Sequence, residues 1–152
     1  MISLWIALHG LAATLWVGGM LFVHFALRPT LVEHLEPPQR LTVWHGVLRR
    51  FFPLVWLSIA VLHATGYALL FGYFGGMAGA RLHVHLMLGI AWVMTLIFAG
   101  LYFRPWAALQ KAVACQDWPA GGQAMGRIRP LVSTNLFLGV CIVVIGVSGR
   151  YW

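Results

Sequence analysis

Apolar residues gather in four long runs, at residues 3–27, 52–74, 82–103 and 131–149, and nearly all the charge falls between them. A helix needs about 20 residues to cross the ~30 Å hydrocarbon core of a bilayer, and each run is near or above that length. In lipid every backbone N–H and C=O must find its partner within the segment, so an isolated apolar run of this length is helical. The pattern therefore predicts an all-α fold, an integral membrane four-helix bundle in a single domain over residues 1–152. The first run lacks a basic leading segment and is too long for a signal peptide, so it is expected to stay in the mature protein.

Composition closes the other routes. The AVILMFWYC set makes up 61% of the 152 residues and charged residues only 9%, against about 25% charged in an ordinary soluble domain. A chain with so few polar side chains cannot cover a water-facing surface, which excludes a soluble enzyme and a disordered chain. Cys115 falls in a loop and Cys141 in an apolar run, so the two cysteines form neither a disulfide framework nor a CxxC metal motif.

The net charge of +7 comes from ten Lys and Arg against three Asp and Glu. Its distribution speaks of orientation, not of nucleic acid. Arg28, Arg40, Arg49 and Arg50 lie between the first two runs with Glu33 and Glu36, while Arg104, Lys111, Arg127 and Arg129 lie between the last two with Asp117. The short connection 75–81 carries Arg81, and Arg150 stands near the end. Cytoplasmic loops are enriched in basic residues, so both termini are expected on the periplasmic side and both long loops in the cytoplasm.

Small residues recur at about four-residue spacing: Gly10, Thr14 and Gly18 in the first run, Ala60, Ala64 and Ala68 in the second, and Gly139, Gly146 and Gly149 in the fourth. Such stripes let helix backbones approach closely, within the bundle or against a second copy in a homo-oligomer. Trp5, Trp56, Trp106 and Trp152 fall at the predicted interfaces, as an aromatic belt would. The two halves share one layout of span, basic loop and span.

Seven histidines stand out in a chain so poor in ionisable groups. An ionisable side chain inside a span is a functional-site hypothesis by default. At 1.5 Å per residue, His9 lies about 9 Å inside the outer end of its run and His85 about 5 Å inside its own. Two imidazoles on different helices at similar depth suggest an axial pair or half of a metal site. His63 falls near the midplane, His24 near the inner end of the first run, and His34 and His45 in the first cytoplasmic loop. His83 and Met87, at i and i+4, share a helix face. His85 points about 200° away from His83, so His85 is expected to face the bundle and the other two the mouth or the lipid headgroups.

Plainer roles weigh against these. His9 and His85 could each make a helix–helix hydrogen bond, Met20, Met87 and Met94 could pack, and Asn135 reads as an interhelical hydrogen-bonding group. Hydrolysis finds no support, since the three acids lie in loops and neither G-x-S-x-G nor H-E-x-x-H occurs.

Two chemistries stay open. One is copper, held by His9 and His85 with His83 or Met87 as entry ligands, since imidazole and thioether both suit Cu(I). The other is haem b, with His9, His85 and His63 as candidate binding residues and Arg81 and Arg150 pairing with the propionates. In that form the protein would be a haem-dependent membrane oxidoreductase passing electrons to a periplasmic acceptor. A third role is structural, as an assembly partner of another membrane protein.

The order of several short motifs resembles a known family. Leu8-His9 followed by Leu15-Trp16-Val17-Gly18-Gly19 resembles the first helix of the copper-resistance protein D membrane domain. Arg49-Arg50-Phe51 leading to Thr65-Gly66, then His83-Val84-His85-Leu86-Met87, then Arg129 with Asn135-Leu136-x-Leu138-Gly139 extend the likeness over most of the chain. The resemblance implies a multi-pass protein of the bacterial inner membrane concerned with copper uptake or delivery. The layout is also similar to HemJ-type protoporphyrinogen oxidases, whose pattern pairs a first-helix histidine, matched by His9, with a lysine that no span here contains, and more loosely to b-type membrane cytochromes.

Overall fold

The computed structural model describes residues 1–151, with Arg150 in its backbone alone. Among these residues the chain is all helix, with no strand. Helix α1 (Ile2–Phe22) continues through a π-helical turn, Val23–Leu27, into α2 (Arg28–His34). After a break at Leu35 and Glu36 the chain returns along α3 (Pro37–Gly72). It crosses over and descends again as α4 (Leu82–Leu101), a second π-helical turn at Tyr102–Trp106 and α5 (Ala107–Ala114). Helix α6 (Trp118–Ser148) brings it back, and a 3-10 turn, Gly149–Tyr151, ends the description. The four helical passes, 2–34, 37–72, 82–114 and 118–148, are each long and apolar enough to cross a membrane, making this a multi-pass membrane protein.

The basic segments expected as long loops are instead helical. The 36 residues of α3 rise about 54 Å at 1.5 Å each, well beyond the hydrocarbon thickness. The extension holds because Leu41, Trp44, Leu48, Phe52, Val55 and Ile59 bury one continuous stripe at three- and four-residue spacing, leaving Arg49 and Arg50 exposed. Proline opens α3 at Pro37 and α6 near Pro119, where a missing N–H costs nothing. The Asp117 side chain caps α6 by accepting from the Ala120 N–H at 3.0 Å.

The two halves are two antiparallel pairs: α1 packs chiefly on α3, and α4 on α6. In each pair the first helix carries a π-helical turn beside an Arg-Pro step. Arg28-Pro29 follows the first turn, and Arg104-Pro105 lies inside the second. At the first, the Arg28 N–H reaches back five residues to the Val23 carbonyl. Proline lacks an N–H for the ordinary i−4 bond, and widening the turn by one residue accommodates it.

The core is aromatic in the half of the bundle next to the connections. Phe52 makes edge contacts with Phe98 at 5.3 Å and Trp106 at 5.1 Å, and Trp56 with Phe98 at 5.2 Å. One of the expected belt tryptophans is therefore a core residue, Trp106 at 3% exposed, while Trp56 is partly buried against that core, held between rings. Trp5 stays partly exposed near the terminal end, and Trp152 lies outside the described residues.

The small-residue stripes divide in the same way. A Cβ at Gly139 would lie 2.9 Å from Val17 Cγ2 and 3.4 Å from Met94 Cε, so α1 and α4 both close onto α6 there. Gly10 and Gly18 face open space, Thr14 bonds the Gly10 carbonyl, and Ala60 and Ala64 are exposed. In the first two passes the stripe points outward; the close approach of α1 to α3 is made at Gly19, where the Phe51 ring fills the place of a side chain. Asn135 joins α6 to α4, its Nδ2 donating to the Met94 carbonyl at 3.1 Å, as expected of an interhelical hydrogen-bonding group.

Candidate functional site

His9 meets α3 through Thr65, with Nδ1 2.8 Å from Thr65 Oγ1. A hydroxyl has one proton, and that of Thr65 goes to the Val61 carbonyl, 2.6 Å away, which can only accept. Thr65 Oγ1 therefore accepts from His9, and Nδ1 is the protonated nitrogen of that ring. His9 Nε2 keeps its lone pair. Gly66 lets the ring lie close to the helix backbone, its Cβ position being 3.5 Å from His9 Cε1.

His63 is held the same way by its own helix. Its Nδ1 donates to the Ile59 carbonyl at 2.9 Å, which leaves Nε2 as the lone-pair nitrogen. That Nε2 is buried and has no hydrogen-bond partner. Trp92 of α4 closes the other side, edge-on to the imidazole at 4.7 Å, and its Nε1 donates to the Tyr67 hydroxyl at 3.1 Å. His63 also lies near enough to act electrostatically on His9. Helices α1 and α3 thus each hold one imidazole, both in the same tautomer. A ring that donates one N–H to a carbonyl or hydroxyl and keeps the other nitrogen free is arranged as metal-ligating histidines are.

The remaining residues fall around this pair. His85 is half-buried, seven residues before Trp92 on α4. That interval is about 10 Å along the axis and returns to nearly the same face. His85 therefore lies on the side of α4 that meets α3, toward the terminal end. Among the described residues no hydrogen bond or ring contact joins it to His9, which is engaged by α3.

His83 and Met87 do share a face, but it is not turned to the mouth or the headgroups. Met87 Cε lies 3.0 Å and Sδ 3.4 Å from the Cβ position of Gly146, and His83 packs on Gly149. The glycines of α6 leave room for both side chains, which draws them into the α4–α6 contact.

Of the two arginines expected beside a cofactor, Arg81 is exposed at the start of α4, and the Arg150 side chain lies outside the described residues. His34 is exposed, 4.0 Å from Glu33. His45 is half-buried and stacks on Trp106 at 5.4 Å, not a solvated loop residue, because the segment that holds it is helix. Among the described residues no three His, Cys, Asp or Glu side chains group to hold a metal ion. A cavity between the helices, about 50 Å³, is lined by Trp16, His24 and Phe98 among others. That space suits a few waters and is far too small for a porphyrin.

Sequence reasoning quoted Thr65 only within a family motif and gave it no role, and it missed Tyr67 and Trp92. The available signal was Thr65-Gly66 two residues beyond His63 in an otherwise apolar run, a polar hydroxyl beside a gap.

The family described as Copper resistance protein D matches residues 45–148 of this chain. An uncharacterized protein of Aquifex aeolicus (strain VF5) is 30% identical over 149 residues, which cover 97% of this chain and 94% of that one. No solved structure matches.

Proposed function

Because the chain belongs to the copper resistance protein D family, we propose that it handles copper ions in the bacterial inner membrane, with His9 and His63 as the paired imidazole ligands. The observation that carries this reading is the shared tautomer: both Nδ1 atoms are committed to fixed acceptors and the His63 Nε2 is buried without a partner. A buried polar atom with nothing to bond is costly, and a metal ion would satisfy it. Imidazole suits copper in either oxidation state, and thioether suits Cu(I).

The ion is cargo in this reading, not a resident cofactor. His85 sits nearer the terminal end, on the side of α4 that meets α3, and supplies an imidazole donor on the way to the pair. The excess of basic residues around the two turns at the other end supports a periplasmic placement of the terminal end, where copper would enter or leave.

Titration of the detergent-purified protein with Cu(I) under reducing conditions tests this. Wild type is expected to bind stoichiometrically, with X-ray absorption dominated by imidazole nitrogen. His9→Ala and His63→Ala are each expected to abolish tight binding, while His85→Ala slows loading and leaves affinity nearly intact. Unaltered affinity in both His9→Ala and His63→Ala sinks the proposal.

A further inference from the structure

Arginines from three helices lie at the end of the bundle opposite the histidine pair, and two of them, Arg28 and Arg129, line one cavity. Arg28 comes from the start of α2, Arg40 from the first turns of α3 and Arg129 from the middle of α6. Arg28 and Arg40 are both near enough to act electrostatically on Arg129. The Nε atoms of Arg40 and Arg129 are buried and have no hydrogen-bond partner.

Among the described residues no carboxylate makes an ion pair with these guanidiniums. The three acids of the chain are Glu33, Glu36 and Asp117. Glu33 is beside His34, Asp117 caps α6, and no acid lies within 4 Å of the three arginines. Like charges gathered at part-buried positions with orphaned donors are unfavourable unless an anion joins them.

The surroundings give the anion a shape. Arg28 and Arg129 line the cavity between the helices together with His24, Ser133 and Asn135. His24 and Arg28 also line an open groove on the outside of the bundle, completed by Phe25, Pro29 and Val32. Phe25 is 69% and Val32 51% exposed, an apolar strip beside a guanidinium.

We propose that Arg28, Arg40 and Arg129 form a binding site for a phosphate group, presented by an anionic phospholipid whose acyl chain runs from Arg28 past Phe25 toward the bilayer centre. Arginine matches phosphate through its planar fork of donors, and basic pockets between membrane helices are where anionic headgroups settle. The apolar strip favours a lipid over a soluble ion, because a free phosphate would leave it unused.

Thermal unfolding and native mass spectrometry of the delipidated protein separate the outcomes. The probes are phosphatidylglycerol, phosphatidylcholine and inorganic phosphate. Phosphatidylglycerol is expected to raise the melting temperature and to stay bound, with retention falling about fivefold or more in Arg129→Gln and in Arg28→Gln. Arg129→Lys keeps part of that retention, and Arg127→Gln, the same charge loss at an exposed site on α6, keeps nearly all of it.

The stability order gives a second readout that survives any general weakening. Without lipid, Arg129→Gln relieves the crowding of like charges and melts above wild type; with phosphatidylglycerol the order reverses. Stabilisation by inorganic phosphate alone, lost in Arg129→Gln, supports the phosphate site and rejects the lipid as its source. The proposal is overturned if Arg129→Gln ranks the same against wild type with all three probes.

Discussion

His9 and Thr65 form a hydrogen bond of fixed direction between α1 and α3, because the Thr65 proton is already committed to the Val61 carbonyl. The threonine thus gives its one proton to a carbonyl of its own helix and imposes a tautomer on the histidine of the neighbouring one.

Replacing Thr65 by Val keeps the shape and removes the acceptor. His9 is then free to turn and to exchange its proton between nitrogens. Copper affinity is expected to fall about 10–100-fold, the usual cost of losing the partner that orients a metal-ligating histidine. Thr65→Ser should retain most of it, and a competition titration against a chromogenic Cu(I) chelator distinguishes the two.

Trp92 sits edge-on to His63 at 4.7 Å, close enough for a copper ion on that imidazole to quench its fluorescence. Adding copper to wild type should dim the tryptophan emission, and Trp92→Phe should remove most of the copper-dependent part. An equal fractional quench in both proteins would place the ion elsewhere.

Gly139→Ala is expected to destabilise the detergent-solubilised protein by about 1–3 kcal/mol, as overpacking of a tight contact does. The new methyl would fall 2.9 Å from Val17 Cγ2. Gly10→Ala and Gly18→Ala place theirs in open space and should unfold at or slightly above wild type. Denaturant unfolding in one detergent compares all three.

Trp106→Ala should be among the more damaging single changes outside the histidine end, at about 3–5 kcal/mol for a large buried aromatic. The ring touches Phe52 and stacks on His45, so its loss unpins α3 from the π-helical turn. Copper affinity per folded molecule should be nearly unchanged, since the histidine pair lies in the other half of the bundle.

The four passes were legible because lipid demands long uninterrupted apolar runs, and nothing else in the sequence competes with that signal. The helical extensions were harder to see. Between 37 and 51 three arginines, two prolines and other polar residues break up the apolar run, yet Leu41, Trp44 and Leu48 already carry the buried stripe that Phe52 and Val55 continue. A reading by periodicity instead of mean hydropathy would have found it.

The histidine pairing shows a different limit. Counting depth from the ends of apolar runs set His9 level with His85 and put His63 deeper. The structure joins α1 to α3, so His9 meets Thr65 and lies near His63, and which helices are neighbours cannot be counted from run ends. The outward aim of Gly10 and Gly18 belongs to the same class, since spacing gives a stripe without saying which side it faces.

The turn at Val23–Leu27 spends one residue more than an α-helix would need. Removing a single residue there would let an ordinary helix close up and rotate everything before it against everything after it by about 100°, the angle of one residue. The guanidinium of Arg28 would swing away from those of Arg40 and Arg129 while Trp16 and Val17 kept their seats. The extra residue therefore acts as a phase shifter, keeping the two ends of one helix pass in register with different neighbours, and its deletion would uncouple them without touching either set of contacts directly.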